Sequence, residues 1–295
     1  MVFKWSRGEL RRTCQIQRRE CIALGVGSRQ RKNLSFAQKK CLSKAGKLML
    51  ETRMLRPGAR IGVAVSGGMD SWVLLQVLRL HCRKLPFDVQ LMLLHINPGF
   101  QPANHAPLLD WARKSGFALH VEVSDMGLRA HSAENRKNSA CFFCSWRRRK
   151  HLFQLVKKYE LTHLALGHTA DDLVQTFFLN LFYQGRVEGL YAKEPFFQGQ
   201  FDLIRPLLHV EKRLVQKAVR EWDLPVWSNP CPSAEASKRS EVDEWLQSMW
   251  SGNAKMRKSV FSALKRWQQS TAVPSLGRCK EKSEEPEVPP RPELV

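Results

Sequence analysis

The chain has no long apolar run, no recognisable export signal and no internal repeat. No stretch approaches the roughly 18 consecutive apolar residues that a membrane-spanning helix needs. The charged, apolar and small-residue regions of a secretory signal are also absent. We therefore predict a soluble, cytoplasmic protein without a membrane partner. An apolar content of 43% and nine tryptophans are enough for a buried core in a chain of 295 residues.

Acidic residues are scarce, since 27 Asp and Glu stand against 48 Lys and Arg, a net charge of +21. Residues 1–60 hold sixteen of the basic residues and three of the acidic ones. A second basic run, residues 147–150, lies in a stretch without any acid. Such runs repel themselves unless they meet a polyanion, which predicts a nucleic-acid partner. For residues 1–33 the alternative is a flexible basic extension without a binding role, and the Pro- and Glu-rich residues 271–295 are predicted to be disordered.

The most informative motif is a glycine turn between an apolar strand and an amphipathic helix. It reads Ser66-Gly67-Gly68-Met69-Asp70-Ser71 and lacks the lysine that would make it a Walker P-loop. Glycines let backbone N–H groups converge on an oxyanion, and the helix that begins near Asp70 adds the positive end of its dipole. The serine hydroxyls can donate to phosphate, and Asp70 can hold a Mg²⁺ ion. The motif therefore predicts a pyrophosphate-binding loop.

Residues 34–270 are predicted to form one domain in which helices and strands alternate. The predicted elements are a helix at 34–56, strand Ile61–Val65, helix Trp72–Cys82, strand Val89–Ile96, helix Ala103–Ser115, strand Phe117–Val123, helix Phe143–Tyr159, strand Leu161–Gly167, helix Ala170–Tyr183, and helices near 210–222, 240–250 and 255–268. Strands separated by helices of ten or more residues indicate a parallel sheet. The predicted fold is α/β, with a Rossmann-like parallel sheet covered by helices on both faces and a helical C-terminal part.

Ligands of such folds bind beyond the carboxyl ends of the strands. Three predicted strands end at candidate ligand-binding residues. One ends at His95, one at the Gly167-His168 pair and one at the glycine turn. The paired acids Asp171 and Asp172 follow at the start of a helix, where they could bind Mg·ATP or orient a reacting group. The alternative is that Asp171 caps the helix and Asp172 lies in its first turn.

Three of the eight cysteines form a second constellation. Cys141 and Cys144 are spaced as C-x-x-C at the start of the basic helix, and Cys231 lies between two prolines. Zinc, an iron–sulfur cluster, a redox disulfide and a pair of buried thiols all remain open for such a set. A site with three cysteine ligands would leave one coordination position free, which favours chemistry at the metal over a purely structural role.

Taken together, the motifs resemble the tRNA 2-thiocytidine synthetase (TtcA) family of the PP-loop ATP-pyrophosphatase superfamily. The resemblance runs from about residue 35 to residue 268. It is carried by the glycine turn, Pro98-Gly-Phe100, Cys141-x-x-Cys144-x-x-Arg-Arg-Arg149, Gly167-His-x-x-Asp-Asp172-x-x-Gln-Thr-x-x-x-Asn-x-x-Tyr183-x-Gly185, Ile204-Arg-Pro-Leu207 and Asn229-x-Cys231.

The resemblance implies an enzyme that binds ATP with Mg²⁺, carries a [4Fe–4S] cluster and thiolates tRNA. Its expected reaction adenylates C2 of an anticodon-loop cytidine, position 32 in the family, and replaces the oxygen with sulfur. The sulfur would come from a cysteine desulfurase or another donor, and a homodimer is left open. The alternatives are a related thiolase acting on a uridine and a catalytically silent homologue that handles RNA or sulfur.

Site roles follow from the matched positions. We expect catalytic roles for Asp70, Asp171 and Lys150; nucleotide binding by Ser66, Gly67, Gly68, Ser71, His95, Gly167, His168 and Asp172; cluster binding by Cys141, Cys144 and Cys231; and RNA binding by Arg147, Arg148 and Arg149. One departure from the family pattern affects these roles. Met69 replaces a lysine that is common in the family's PP-loop, so one phosphate contact is missing or is supplied from elsewhere.

Overall fold

The computed structural model describes residues 34–135, 139–228, 230–233 and 238–271. Within these ranges the chain forms nine helices and six strands: α1 Phe36–Glu51, β1 Ala59–Ala64, α2 Met69–Cys82, β2 Val89–Asn97, α3 Ala106–Lys114, β3 Ala118–Val123, α4 Met126–Ala130, α5 Ala140–Lys158, β4 His163–Ala165, α6 Ala170–Gln184, β5 Lys193–Phe196, β6 Phe201–Ile204, α7 Lys212–Glu221, α8 Lys238–Trp250 and α9 Ala254–Thr271. The extension predicted at residues 1–33 lies outside the described residues. So does the tail predicted at 271–295, apart from Thr271.

The chain divides into two compact units. The first comprises residues 1–172 and 192–235, and the second comprises residues 173–191 and 236–295. All six strands of the described residues fall in the first unit. In the second unit, α8 and α9 pack together and the ring of Trp245 lies 5.4 Å from that of Phe178. Among the helices of the described ranges, none has the length and apolar character needed to cross a membrane.

The strands of the first unit form a sheet in the order β3-β2-β1-β4-β6-β5. β1 pairs in parallel with β2 and β4, β2 with β3, and β4 with β6, whereas β5 is antiparallel to β6. The prediction of a mostly parallel α/β sheet followed by helices is thereby confirmed. The β5–β6 hairpin and the short helix α4 were not predicted, and β4 is shorter than the predicted strand.

The order of the strands reverses between β1 and β4. The chain runs outward from β1 through β2 to β3, then returns through α5 to β4 on the other side of β1. Because parallel crossovers are right-handed, α2 and α3 cover one face of the sheet and α5 covers the other. Such a switch point opens a crevice at the carboxyl ends of the two strands that flank it. The predicted loop at 66–71 follows β1, and the Gly167-His168 pair follows β4, so both lie at this crevice.

Buried side chains hold α5 on the sheet. Met92 and Leu94 of β2 share one hydrophobic cluster with Leu152 and Leu155 of α5. Residues 92 and 94 point to the same side because side chains of a strand alternate. Leu164 of β4 joins this cluster and is fully buried. This core fixes the start of α5, and therefore the two cysteines on its first turn, relative to the sheet.

Leu164→Ala is expected to lower the free energy of unfolding by about 2–5 kcal/mol, because the truncated side chain leaves a cavity in the centre of the sheet. Leu50→Ala provides the matched control, since Leu50 is 81% exposed on α1 and its truncation should change stability by less than about 0.5 kcal/mol. Urea unfolding followed by circular dichroism measures both. Equal effects of the two substitutions would contradict the placement of Leu164 in the core.

Candidate active site

The loop after β1 is a preformed anion cradle. Gly67 has φ +96°, a conformation that side chains with a Cβ rarely adopt. Ser71, which is 5% exposed, donates from its hydroxyl to the Gly68 carbonyl at 2.8 Å and accepts from the Ser66 backbone N–H at 3.2 Å. These bonds close the loop onto the first turn of α2, where the N–H groups of Ser71 and Trp72 donate to the Gly68 carbonyl. The N–H groups of Met69 and Asp70 precede them and have no acceptor within the helix itself. The geometry suits a phosphate or pyrophosphate group.

The loop after β4 lies against the same helix turn. A Cβ built on Gly167 would lie 3.0 Å from the backbone carbon of Asp70 and 3.1 Å from the backbone nitrogen of Ser71. A side chain at this position would be tightly packed, and the neighbouring backbone would have to shift by a few tenths of an ångström to admit it. The structure therefore brings together the two motifs that the sequence places about 100 residues apart.

Asp70 is the acid at this junction that lacks a partner. Its Oδ1 is buried and accepts no hydrogen bond from any residue in the described ranges. Burial raises the pKa of Asp70 to about 6, the charge of Lys212 lowers it, and the charges of Asp172 and Asp171 raise it. A buried carboxylate oxygen without a donor is chemically suited to a bound cation.

The two other acids each cap a helix. Asp172 accepts hydrogen bonds from the backbone N–H and the hydroxyl of Thr169, both at 2.8 Å, which closes the N-terminus of α6. Asp171 accepts from the backbone N–H of Lys212 at 2.6 Å and so caps α7 rather than its own helix. The alternative in which Asp171 caps α6 is therefore wrong, because Thr169 precedes that helix and accepts from the Asp172 backbone N–H, whereas Asp172 does lie in the first turn. The catalytic role of Asp171 and the nucleotide-binding role of Asp172 stay predictions.

His168 is oriented by a buried arginine. Arg205, 6% exposed, donates from Nε to His168 Nδ1 at 3.1 Å and forms an ion pair with Glu194 at 2.8 Å. Because Nδ1 accepts this bond, the neutral ring carries its proton on Nε2. The bond from Arg205 therefore fixes both the orientation and the tautomer of the neutral His168 ring.

Trp227 covers the back of the glycine loop. Its backbone N–H donates to the Gly67 carbonyl at 3.0 Å, and a Cβ on Gly67 would overlap its ring. The Trp227 ring also lies 5.9 Å from Trp72 and 5.8 Å from His95. Gly67 is therefore required both by its positive φ and by this aromatic contact.

His95 is buried in its neutral form. Its pKa is lowered to about 4, chiefly by burial and also by the charges of His105 and Arg148, whereas a hydrogen bond with the Val65 carbonyl raises it. That bond, at 2.7 Å, requires Nδ1 to donate, so Nε2 carries a lone pair. Nε2 is buried and has no hydrogen-bond partner among the described residues. His95 can therefore accept a hydrogen bond from a ligand.

The three predicted cluster ligands belong to two segments of the first unit. Cys141 and Cys144 lie on the first turn of α5, and Cys231 follows α7 with its Sγ 3.9 Å from His131 Nε2. All three are free thiols. Burial and the charges of Cys231 and Cys144 raise the pKa of Cys141, so the three sulfurs lie close enough to repel one another as thiolates.

A metal would relieve this repulsion, and three soft thiolate donors fit an iron–sulfur cluster or zinc. In the described parts of the chain, however, no group of three or more His, Cys, Asp or Glu side chains is already gathered at metal-binding distances. The donor set fits, and its closure around a metal would require the thiols to draw together.

Arg148 connects the cysteines to the nucleotide side of the site. Burial raises the pKa of Cys144, whereas the charge of Arg148 and a hydrogen bond from its guanidinium lower it. The same guanidinium charge lowers the pKa of His95. Arg148 is thus hydrogen-bonded to Cys144 and its charge acts on His95, while the predicted catalytic Lys150 and the predicted RNA ligand Arg149 are exposed.

Sequence reasoning missed three residues of this site. Trp227, Lys212 and the role of Arg205 all depend on contacts between segments distant in the sequence. Arg205 stands within a motif that carried the family resemblance, which was a usable signal. Lys212 and Trp227 had no local signal of this kind.

Comparison with known proteins agrees with this arrangement. The family profile described as PP-loop domain matches residues 37–239. The chain is 31% identical over 228 residues to the tRNA-cytidine(32) 2-sulfurtransferase of Geobacter sulfurreducens, covering 77% of this chain and 89% of that protein. It is 32% identical over 222 residues to the protein of the same name from Syntrophotalea carbinolica, covering 74% and 85% of the two chains.

Among solved structures, the U34-tRNA thiolase NcsA from Methanococcus maripaludis with its [4Fe-4S] cluster superposes with a TM-score of 0.63. The match covers 78% of this chain and 80% of that one at 21% identity, so it shows a shared fold. The sequence match reaches most of both chains and includes the loop after β1, the cysteine-bearing helix and the loop after β4. The chain therefore belongs to the PP-loop superfamily and, within it, to the tRNA 2-thiocytidine synthetase family.

Proposed function

We propose that the protein is an ATP-dependent tRNA sulfurtransferase that converts an anticodon-loop cytidine, at position 32, to 2-thiocytidine. Its relatives from Geobacter sulfurreducens and Syntrophotalea carbinolica bear that activity in their names. The observation that carries the proposal is the linkage of two half-sites. Trp227 and His95 lie against the anion cradle, while the Arg148 guanidinium hydrogen-bonds Cys144 and its charge lowers the pKa of His95.

The anion cradle binds the pyrophosphate part of ATP in this proposal. Ser66, the backbone of Gly67 and Gly68, and the N-terminus of α2 supply donors, while Ser71 holds the loop in shape. The unpartnered Oδ1 of Asp70 would ligate Mg²⁺, which shares the phosphate charge. His95 and His168 contribute one acceptor and one donor to the rest of the nucleotide.

The chemistry requires a good leaving group at C2. The O2 oxygen of the cytosine attacks the α-phosphorus of ATP, and pyrophosphate leaves. A sulfur nucleophile then attacks C2, and AMP departs with the former O2. Cationic side chains stabilise the charge that develops on phosphate. Lys212, beside Asp70, takes this role at the cradle, and Asp171 positions it by holding its backbone N–H.

The cysteine half of the site provides the sulfur. Cys141, Cys144 and Cys231 would hold a [4Fe–4S] cluster, whose chemistry when bound is to present sulfur at an iron without a protein ligand. Arg148 stabilises the thiolate of Cys144 and keeps a positive charge beside the place where sulfur is transferred. A cysteine desulfurase or another donor would reload the sulfur. A base in an RNA loop can be splayed out at small cost, which suits attack at its edge.

Deletion of the gene followed by nucleoside analysis of bulk tRNA tests this function. We expect 2-thiocytidine to disappear and to return when the wild-type chain is supplied, while thiolated uridines are unchanged. Loss of a thiolated uridine with 2-thiocytidine intact would instead identify a uridine thiolase. An unchanged nucleoside profile, with no pyrophosphate released from ATP in the presence of tRNA, would identify a catalytically silent homologue.

Cluster binding is tested with Cys231→Ala in anaerobically purified protein. The wild-type chain should be brown and contain iron and acid-labile sulfide, and the variant should lose both, because two remaining thiolates cannot retain the cluster. Cys82→Ala is the matched control, since Cys82 is a free thiol on α2 and its removal should leave the colour intact. A colourless wild-type protein that contains zinc would refute the cluster.

Lys212 is tested as the substitute for the lysine that Met69 replaces. Lys212→Met should weaken ATP binding about tenfold, because a charge-assisted contact with phosphate contributes about 1.5–3 kcal/mol. Met69→Lys added to that variant should restore part of the affinity. Lys217→Met, on the exposed side of the same helix, should bind ATP like the wild type. Isothermal titration calorimetry measures all four chains, and an unchanged Lys212→Met affinity would remove Lys212 from the site.

A further inference from the structure

Helix α5 has two faces of opposite character. Leu152 and Leu155 lie on the face that packs against the sheet, and Cys144 lies on the same side one or more turns earlier. The opposite side of the first turns, here called the outward face, is formed by Phe143, Trp146, Arg147 and Lys150. These positions recur at the spacing of three and four residues that aligns side chains on one side of a helix.

The outward face carries a ladder of cations on aromatic rings. The Arg147 guanidinium lies 5.2 Å from the ring centre of Phe143 and 5.4 Å from that of Trp146. The Lys150 ammonium lies 5.7 Å from the Trp146 ring. Such contacts hold positive charge over the faces of aromatic rings. The two rings and the two cations therefore form one ordered surface, which we name the α5 platform.

The α5 platform is unusual for a surface helix. The solvent-facing side of a surface helix usually carries polar residues, but here it carries two large aromatic side chains, and both are partly exposed. The helix contains six Lys and Arg and no Asp or Glu. Its outward face is therefore both strongly positive and rich in π-surface. That combination is complementary to a strand of RNA, in which phosphates alternate with flat bases.

The platform adjoins the proposed site of sulfur transfer. Phe143 lies between Cys141 and Cys144 in the sequence, and Trp146 follows Cys144 by two residues. The motif that carries the family resemblance specifies no residue type at positions 143 and 146.

We propose that Phe143 and Trp146, held by Arg147 and Lys150, stack unpaired bases of the anticodon loop that flank the modified cytidine. The inference rests on the proposed function, which supplies an RNA loop as substrate. Stacking on aromatic rings and on guanidinium planes is the usual way in which proteins hold splayed-out RNA bases. The flanking bases are thereby fixed beside the cysteines, and the phosphates meet the cations of the same helix.

Equilibrium binding of a fluorescent anticodon stem-loop to the full-length chain, purified anaerobically, tests the platform. Trp146→Leu should weaken binding about tenfold, because loss of one stacked base costs roughly 1–3 kcal/mol. Trp146→Phe should restore most of the affinity, since it keeps a ring. The dependence of binding on salt should be unchanged in Trp146→Leu but shallower in Arg147→Gln, which removes a charge.

Two controls separate stacking from other effects. Trp245→Leu removes an aromatic that is 41% exposed in the second unit and should leave binding unchanged. Heparin and a duplex RNA of equal length offer charge without unpaired bases, so Trp146→Leu should bind both like the wild type. Circular dichroism confirms that each variant is folded.

The platform is refuted if Trp146→Leu binds the stem-loop as tightly as the wild type, or if Trp146→Phe is as weak as Trp146→Leu. An equal loss for heparin and duplex would show that the residue shapes a general polyanion surface instead. Failure of the proposed function is detected separately, by an intact 2-thiocytidine content in the deletion strain. The stem-loop binding assay therefore tests the platform whether or not the deletion strain loses 2-thiocytidine.

Discussion

The close approach of two backbones at the switch point of the sheet is the constraint on which the site depends. β1 and β4 are parallel neighbours, and the turn after β4 touches the first turn of the helix after β1 through Gly167. A Cβ at that position would require the backbone of Asp70 to shift by a few tenths of an ångström. Asp70 is buried at this contact, and its burial, together with the charges of Asp172 and Asp171, raises its pKa.

Helix caps explain why three neighbouring acids do not behave alike. Asp172 is satisfied by Thr169, and Asp171 by the backbone of Lys212, so each carries hydrogen bonds that stabilise its charge. Asp70 has a buried oxygen without such a bond. The hydrogen bond to Asp171 also holds the backbone of Lys212, the first residue of α7, in place. Lys212 is the residue that we propose as the substitute for the family's lysine at position 69.

The sequence could predict the features that local pattern determines. The glycine loop, the alternation of strands and helices, and the three cysteines follow from spacing, glycine content and motif. The β5–β6 hairpin was missed because its turn, with positive φ at Phe197, Gln198 and Gly199, lacks a familiar hairpin signal. Trp227 was missed because it meets Gly67 across 160 residues, a contact that only the tertiary fold creates.

Helix α5 carries two of the three predicted cluster cysteines and also the aromatic and basic residues of the α5 platform. The cysteine Cys144 and the platform lie on opposite faces of the helix. The inward face carries Cys144 and Arg148, and the Arg148 guanidinium hydrogen-bonds Cys144. The outward face carries Trp146 and Arg147, which point away from the sheet. A basic helix needs no aromatic residues to attract phosphate, since charge alone provides that attraction. Rings on the outward face are therefore best understood as a means of ordering bases, which charge alone cannot do.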